Sequence, residues 1–504
     1  MATWPIPPRI RPSRPVVPGL TRIAAENRNA GGSDWHPKAG GLRPSQDGLG
    51  HIQGYASASS VTSGEQLSFH VSAAASVDFT IEVHRLGYYG GAGGRLMVRS
   101  PRLPGHPQPA PVVEAATGTV QCSWLPSWTL NVPRDWVSGL YLASFTSSDG
   151  RRSCTPFVVR DDRRDSEFLV VLPFTTYQAY NQFPMDGRLG RSLYYGYVPS
   201  AHDPSVRLPD LDGAVHSAIR IPGQTYCLHF PARARTVSFA RPYARNGIPR
   251  QFVLDQSFIA WAEAKGLDLS YATSLDLHEG RADPGRHRTV MFSGHDEYWS
   301  SQMRDRADRA VRAGTHLAFF AANNIYWKAR IGSGPGGFPT VTCYKHGPDP
   351  APDGRTVQWR SLQPGGVAAE QGLLGTQFTG IPHKPAPLVV GNARHWFWAG
   401  TGLADYDRLS GLVRGEADGL MKGMARAAAT DQTLLSGSPF RSLKTEDVPS
   451  MMHAQNTSVY RSPSGAWVFN AGTFGWTPAL GGPAGMQNPS IRRATDNLIA
   501  RLRA

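Results

Sequence analysis

Three ionisable side chains stand together in the segment SGHDEYWS, residues 293–300. His295, Asp296 and Glu297 directly follow residues 288–292 (RTVMF), which have the pattern of a strand buried on both faces. His295 and Glu297 are two positions apart in a predicted loop, so both side chains can point at one site. The alternative for His295 is a hydrogen bond to a backbone group. The sequence also predicts that Glu297 opens a helix, whose positive end favours a carboxylate. For Asp296 we favour a structural role as the cap of that helix.

Polar residues also follow two other predicted strands. Asn323 comes after the apolar run 315–320 (THLAFF), and neighbouring strand ends would place it beside Glu297. Tyr180 in QAYN and Tyr194 in SLYY follow the run 167–172 (EFLVVL). Tyrosines near a sheet edge usually pack with their hydroxyl in water, so these two residue types alone do not distinguish packing from chemistry.

Two patterns of apolar and polar residues predict the strands and helices that carry these residues. Short segments alternate apolar and polar residues at period two and predict an antiparallel, immunoglobulin-like β-sandwich over 49–161; they are 54–61, 66–72, 77–86, 139–146 and 154–159. Buried-strand runs and amphipathic helices then predict an α/β domain with a mostly parallel sheet over 165–504; the helices are 250–265, 297–312 and 488–503. Residues 1–48 are rich in Pro, Gly and Arg and predict an extended arm, packed against the body or a partner.

Composition and charge narrow the possible functions less than these motifs do. The chain has 504 residues and a net charge of +14, and its basic excess is almost all dispersed arginine, which favours compositional bias over a nucleic-acid footprint. No apolar run is long enough to span a membrane, and no secretory leader is evident, so we expect a cytoplasmic protein. The cysteines Cys122, Cys154, Cys227 and Cys343 form no C-x-x-C pair, which argues against a structural zinc site. Cys122 and Cys154 could meet across the sandwich, but in a chain without a secretory leader we expect them to be free, buried thiols.

Several motifs, taken together and in order, resemble the large (beta) subunit of N,N-dimethylformamidase and its homologues. They are RLGYYGG (85–91), QAYN, SLY, VSFARPY (237–243), SGHDEYWS, NNIYWKAR, CYK (343–345) and FNAGTFGW (469–476). The resemblance covers about residues 50–504. It implies that the α/β domain is similar to class-I glutamine amidotransferases. QAYN followed by Gln182 is not the form found in the amidase itself, so the metal site is expected to carry over better than the substrate does.

The resemblance also implies a mononuclear iron, expected as Fe(III), held by two tyrosines and one glutamate. Carried over by motif, Glu297 is the glutamate and Tyr180 the first tyrosine. We choose Tyr194 as the second tyrosine, with Tyr243 as its rival. Phenolate and carboxylate are hard oxygen donors suited to a hard trivalent ion, which would act as a Lewis acid that activates water.

The remaining site residues carry over as groups around the metal. The resemblance implies that His295, Asn323 and Lys345 bind substrate or support the ligands, and that Glu416 is a candidate general base. The expected activity is hydrolysis of a C–N bond in a small N-substituted amide, by a homo-oligomer or by a complex with a small subunit, without nucleic-acid or membrane partners. The alternative is a carbohydrate-binding or carbohydrate-processing protein in which Trp124, Trp128, Trp396 and Trp398 stack on sugars.

Overall fold

A computed structural model of the chain describes residues 9–10, 19–199, 219–221, 224–229, 233–351, 354–429, 431–445 and 447–504. Most of the first 18 residues of the predicted arm lie outside the described residues, as do parts of the 200–232 segment. The described part is a mixed α/β structure with many β-sheets and few helices. None of its helices is both long enough and apolar enough to cross a bilayer.

The helices, in chain order, are α1 (Arg22–Glu26), α2 (Phe174–Ala179), α3 (Phe252–Ala264), α4 (Ser274–Glu279), α5 (Ser301–Arg312), α6 (Gln371–Leu374), α7 (Trp476–Gly481) and α8 (Pro489–Arg503). The strands of the N-terminal part used below are β1 (Gln53–Ala56), β2 (Ser60–Thr62), β3 (Gln66–Ser72), β4 (Asp78–Leu86), β5 (Gly94–Arg99), β6 (Trp128–Asn131), β7 (Gly139–Ser147) and β8 (Arg151–Arg160). Those of the main C-terminal sheet are β9 (Phe168–Leu172), β10 (Leu269–Thr273), β11 (Thr289–Phe292), β12 (His316–Phe319), β13 (Asp431–Leu434), β14 (Ser458–Arg461) and β15 (Trp467–Asn470).

Further short strands form smaller sheets and hairpins around these two bodies. They are Arg9–Ile10, Arg43–Pro44, Leu103–Pro104, Val112–Val113, Val120–Gln121, Gly196–Pro199, Ile219–Ile221, Gln224–His229, Thr236–Ser238, Tyr298–Trp299, Trp327–Lys328, Arg330–Ser333, Pro339–Thr342, Gln377–Gly380, Ala386–Val389, Arg408–Val413, Ala417–Gly419, Ser438–Arg441 and Met452–Gln455.

Two sheets share one hydrophobic core in the N-terminal part. The larger sheet contains the antiparallel run β5–β4–β7–β8, and the smaller has the order β6–β3–β1. Alternating residues of β3, β4 and β7 point into this core, among them Phe69, Ile81 and Phe145. The period-two pattern of the sequence therefore produces the expected antiparallel layers. The finer assignment to an immunoglobulin-like sandwich stays a prediction.

The main C-terminal sheet has the order β10–β9–β11–β12–β15–β14–β13. Strands from β10 to β15 in this order pair in parallel, and β14 and β13 extend the sheet antiparallel. Both faces are covered. In β9, for example, Phe168, Val170 and Leu172 face a core shared with α3, α7 and α8, and Leu169 and Val171 face a core shared with α5. This burial on both sides explains why the sequence of β9 reads as a continuous apolar run.

The parallel strands have the order 2-1-3-4-5 when they are numbered along the chain. In such a sheet the connections leave strand 1 (β9) and strand 3 (β11) towards opposite faces, which opens a crevice at their carboxyl ends where ligands bind. Tyr180 follows β9, His295 and Glu297 follow β11, and Asn323 follows the adjacent β12. The topology therefore brings the predicted chemistry to one edge of the sheet.

One local prediction is wrong. Glu297 does not open a helix, and Asp296 does not cap one, because α5 begins at Ser301 with Ser300 as its N-cap, whose hydroxyl accepts from the Met303 N–H. Tyr298–Trp299 instead form a short strand parallel to Trp327–Lys328. Serine is a strong N-cap residue, and extended backbone before it lets two aromatic side chains pack. Glu297 is therefore set by loop contacts rather than by a helix terminus.

Two buried ion pairs lie where the N-terminal part meets α3. Glu26 of α1, inside the predicted arm, is buried and forms an ion pair with Arg95 of β5 at 2.6 Å. Tyr89 donates a hydrogen bond to the same carboxylate. Next to them, Arg85 of β4 and Glu263 of α3 form a two-pronged ion pair, with both side chains fully buried. Charged groups this deep are stable only when they are paired, so the Arg85–Glu263 pair holds the N-terminal sheets against α3.

Candidate functional site

Short elements at the carboxyl edge of the sheet present the first three candidates. Tyr180 is the residue that ends α2, which begins two residues after β9. Glu297 lies in the loop between β11 and the strand Tyr298–Trp299. Tyr194 belongs to the irregular segment after α2, anchored where the Leu193 N–H donates to the Ala179 carbonyl.

Tyr194 and Glu297 are in direct contact. The Tyr194 hydroxyl donates to Glu297 Oε1 at 2.5 Å, and the Trp327 indole N–H donates to the Tyr194 hydroxyl at 3.1 Å. The rings of Tyr180 and Tyr194 stack with centroids 4.6 Å apart. The Tyr180 hydroxyl lies 3.5 Å from His295 Nε2. The structure thus brings the two predicted tyrosines, the glutamate and the histidine together.

His295 lies between two carboxylates. Its Nε2 is 3.3 Å from Glu297 Oε2 and 3.4 Å from Glu416 Oε2. Its Nδ1 lies 3.1 Å from the Ala322 carbonyl, which can only accept, so Nδ1 carries a hydrogen when this bond forms. The ring also packs 4.8 Å from that of Phe474. The sequence placed Glu416 in this group only through the family motif, 119 positions after Glu297.

Asn323 completes this cluster. Its Nδ2 lies 3.4 Å from Glu297 Oε1, and its side chain is also bonded to Glu416. The backbone of Asn323 has a φ of 52°, a conformation that few residues except glycine and asparagine adopt readily. The Asp418 carboxylate holds this turn by accepting from the Asn323 N–H at 2.7 Å. The expected placement of Asn323 beside Glu297 is what the structure shows.

Lys345 lies on the other side of Tyr194, inside an aromatic cage. Its Nζ is 3.1 Å from the centroid of the Tyr194 ring, 4.7 Å from that of Trp327 and 5.6 Å from that of Tyr298. The side chain is buried, and Nζ has no hydrogen-bond partner among the described residues. A cation over aromatic faces is attracted by their electron density, which partly offsets the loss of water.

The electrostatics of the site follow from burial and from charge neighbours. Burial raises the pKa of Glu416 to about 7, while His295 lowers it. Burial would lower the pKa of His295, but Glu416 and Glu297 raise it to about 9. Burial lowers the pKa of Lys345 to about 8, although Glu297 favours its charged form. The pKa values of Tyr180 and Tyr194 lie well above their ordinary value, because of burial first and the Glu297 charge second.

These residues fit a hard cation. Glu297 Oε2, Glu416 Oε2 and Asn323 Oδ1 are buried oxygen atoms without a hydrogen-bond partner among the described residues. Two phenols and a carboxylate this close together repel one another when they are ionised, and a trivalent ion would remove that penalty. Among the described residues, no group of three or more His, Cys, Asp or Glu side chains is arranged to hold a metal ion. The predicted ligand set contains only one side chain of those four types.

Tyr243 and Asp296 occupy different environments. Tyr243 is buried against Tyr177, with ring centroids 6.4 Å apart, and its hydroxyl bonds with Gln178. In the described contacts it does not meet Glu297. Asp296 is buried behind the loop, and burial raises its pKa to about 8. Neither side chain joins the cluster around His295.

Sequence reasoning did not single out Trp327 or Arg250. Trp327 reaches Tyr194 because its strand pairs with Tyr298–Trp299, a long-range contact with no local signal. Arg250 is exposed, and its guanidinium carbon lies 5.3 Å from the centroid of the Tyr180 ring. Nothing in the residues around Arg250 distinguishes it from the many other arginines of the chain.

Comparisons with known proteins identify the family to which the chain belongs. No curated protein sequence matches the chain. Among solved structures, the sporulation control protein Spo0M of Bacillus subtilis aligns at 9% identity over 22% of this chain and 48% of its own, with a TM-score of 0.14. The chain thus spans about half the length of Spo0M. A cycloisomaltooligosaccharide glucanotransferase of Paenibacillus sp., complexed with cycloisomaltoheptaose, aligns at 10% identity over 82% of this chain and 69% of its own, with a TM-score of 0.17.

TM-scores this low mean that neither structure indicates the fold or the function of this chain. The profile that matches describes the C-terminal part of N,N-dimethylformamidase beta subunit-like proteins, and it covers residues 80–490. This range includes every candidate site residue from Tyr180 to Glu416. The chain belongs to the N,N-dimethylformamidase beta subunit-like family.

Proposed function

We propose that the protein is an iron-dependent hydrolase that cleaves the C–N bond of a small N-substituted amide. The observation that carries the proposal is the contact of the partly buried Tyr194 with the buried side chains of Glu297, His295 and Glu416 at the crevice of the sheet. Family membership supports an amidohydrolase of the dimethylformamidase type. The strand order 2-1-3-4-5 supports a class-I amidotransferase-like framework for the α/β part.

Tyr180, Tyr194 and Glu297 would hold the iron. When bound, Fe(III) would supply a Lewis acid that polarises a carbonyl and makes water more acidic. The chain's own groups account for the remaining needs of hydrolysis. Water must lose a proton as its oxygen bonds to the amide carbon, the oxyanion must be stabilised, and the amine nitrogen must gain a proton as the C–N bond breaks.

Glu416 and His295 are placed for the proton transfers. Glu416 has an unpartnered buried oxygen, and its pKa of about 7 lets it accept a proton near neutral pH. His295, whose pKa of about 9 keeps it protonated near neutral pH, would give its Nε2 proton to the departing amine. Its Nε2 is 3.4 Å from that Glu416 oxygen, so the proton that Glu416 takes from water would then return to the imidazole. The Asn323 amide and the Lys345 ammonium are the buried donors that would hold the oxyanion.

The alternative as a carbohydrate protein has less support. Trp124 and Trp398 are buried, with 7% and 2% of their surface exposed, so they cannot stack on a sugar from solvent. Trp128 and Trp396 are only partly exposed, and Trp396 is covered by Arg501, whose guanidinium carbon is 4.8 Å from a ring centroid. The family name, beta subunit-like, supports the further proposal that the protein works in a complex with another subunit.

The test is an assay of amine release from a panel of N-substituted formamides and acetamides, with the iron-loaded full-length protein. Glu297→Gln and Glu416→Gln should each lower the rate by about 100-fold or more, since each removes a carboxylate from the centre of the site. Glu279→Gln, at the exposed end of α4, is the matched control and should keep the wild-type rate. Hydrolysis at the wild-type rate by both site variants would overturn the assignment.

A further inference from the structure

Thr176 contacts the backbone of both Tyr180 and Glu297. Its carbonyl accepts from the Tyr180 N–H at 3.1 Å, as expected at the end of α2. Its side-chain hydroxyl accepts from the Glu297 N–H at 2.9 Å and from the Tyr298 N–H at 3.2 Å. Thr176 is buried, so no water can replace these bonds at low cost. One residue therefore links the helix that ends at Tyr180 to the loop that carries Glu297.

A second link runs through Asp255 of α3. One oxygen of its carboxylate accepts from the Tyr177 hydroxyl at 2.5 Å, and the other accepts from the Ser293 hydroxyl at 2.5 Å. Tyr177 belongs to α2, and Ser293 starts the loop that leads to Glu297. Gly294 lies so close to this carboxylate that a Cβ added there would overlap with it. Asp255 thus holds the helix and the loop from a third element.

The contacts of Thr176 and Asp255 are directional hydrogen bonds in addition to packing. Both side chains are buried, and each carries two hydrogen bonds that cross between separate segments. Short helices such as α2 have little intrinsic stability, and loops do not hold a fixed position unless their backbone groups are bonded. Without the links, α2 and the loop would keep fewer bonds to each other, such as the one that the Thr175 hydroxyl donates to the Tyr298 carbonyl at 2.9 Å.

We propose that Thr176 and Asp255 are positioning residues, which fix α2 against the 293–298 loop so that Tyr180 and Glu297 face one cation. This inference rests on the proposed function for the identity of the cation, but the link itself is a property of the metal-free chain. Groups that orient ligands without touching the metal typically change metal affinity by about 10- to 100-fold when they are removed.

The experiment uses Thr176→Val, which removes the hydroxyl and keeps the shape, and Thr176→Ser, which restores the hydroxyl. Thr289→Val is the matched control, because Thr289 is equally buried in β11 and its hydroxyl has no hydrogen-bond partner among the described residues. The first readout is hydrogen–deuterium exchange of the metal-free full chain in the peptide that covers Glu297 and Tyr298. The second is the iron dissociation constant.

Thr176→Val should speed exchange of those amides by about tenfold or more, because both lose their acceptor. It should also raise the iron dissociation constant by about tenfold or more. Thr176→Ser and Thr289→Val should stay close to the wild type in both readouts. Asp255→Asn is the second variant, since the amide oxygen can accept from only one of the two hydroxyls and the amide nitrogen cannot accept from the other. It should raise exchange around Ser293 and weaken iron binding to a similar degree.

The outcomes separate the two proposals. Wild-type protein that binds no iron would contradict the proposed function, while the exchange data would still test the link. Wild-type protein that binds iron, with Thr176→Val and Asp255→Asn binding it equally well, would overturn the positioning role. If Thr176→Val does not fold, unchanged iron affinity in Asp255→Asn would be sufficient to overturn it.

Discussion

The hydroxyl of Tyr194 donates to the carboxylate of Glu297 at 2.5 Å, although the two residues are 103 positions apart along the chain. The contact is partly buried, and the Trp327 indole N–H donates to the same Tyr194 hydroxyl. It distinguishes Tyr194 from Tyr243, whose hydroxyl bonds with Gln178. The choice between these two tyrosines, which motif resemblance left open, thus has a geometric basis.

Lys345→Met should lower amide hydrolysis by about 100-fold, because it removes a buried cation next to the place where the oxyanion forms. The same change should leave stability unaltered or raise it, since the ammonium is buried without a hydrogen-bond partner among the described residues and methionine fits an aromatic cage. Steady-state rates and urea unfolding of the full chain measure the two effects. Lys328→Met, at a less buried lysine, is the control, and an unaltered rate in Lys345→Met would contradict the role of Lys345.

Glu263→Gln should destabilise the protein by roughly 3–5 kcal/mol, because it leaves the Arg85 guanidinium buried without its counter-charge. Asp496→Asn, which breaks the exposed pair with Lys265, should cost less than about 1 kcal/mol. Urea unfolding followed by tryptophan fluorescence measures both. Equal effects of the two changes would show that the buried pair does not hold the N-terminal sheets to α3.

Gly294→Ala should weaken iron binding and destabilise the fold by about 1–3 kcal/mol, because the new methyl group must displace the Asp255 carboxylate or the loop. Gly485→Ala is the matched control, since a Cβ there meets no atom within 4 Å. Thermal unfolding and iron titration report the two effects. A Gly294→Ala protein as stable as the control would mean that the loop is not held tightly by Asp255.

His84 in β4 should make the protein sensitive to mild acid. Burial lowers its pKa from 6.5 to about 4, despite the raising effects of Glu82 and Asp34 and with smaller lowering effects of Arg152 and Arg99. Between these two pH values the unfolded chain binds a proton that the folded chain does not. The free energy of unfolding is therefore fully retained above pH 6.5 and falls as the pH drops towards 4, by roughly 3 kcal/mol in total.

His84→Leu should remove this contribution, because leucine suits the cross-strand neighbours Leu142 and Leu96 and takes up no proton. Unfolding in urea at pH 7, 6, 5 and 4.5 would show a slope smaller by up to about 1.4 kcal/mol per pH unit than that of the wild type. Identical slopes in the two proteins would mean that His84 is solvated or paired in the folded state.

The sequence was most informative where the apolar and polar pattern of a segment decides which of its faces are buried. The alternation in β3 and the apolar run in β9 predicted strands that the structure places within a residue of their expected bounds, because one-sided and two-sided burial leave different patterns. The prediction that a helix starts at Glu297 is wrong because Ser300 caps the helix instead. The pattern of neighbouring residues does not show which of two possible cap residues, Asp296 or Ser300, starts the helix.

The candidate site was predictable in part for a similar reason. His295, Glu297 and Asn323 follow buried strands, and the rule of strand ends brings such residues together. Trp327, Thr176 and Asp255 act through contacts between segments that are distant in sequence, so no window of residues contains their signal. Glu416 was found by motif resemblance alone, and its 3.4 Å distance to His295 comes from the three-dimensional structure.

The central claim is that Tyr180, Tyr194 and Glu297 hold a ferric ion, and elemental analysis combined with visible absorption tests it most directly. The purified wild type and Tyr243→Phe should each contain roughly one iron per chain and show a phenolate-to-iron absorption band. Tyr194→Phe should lose most of the iron and the band. Full iron content and an unaltered band in Tyr194→Phe, with loss of both in Tyr243→Phe, would contradict the account.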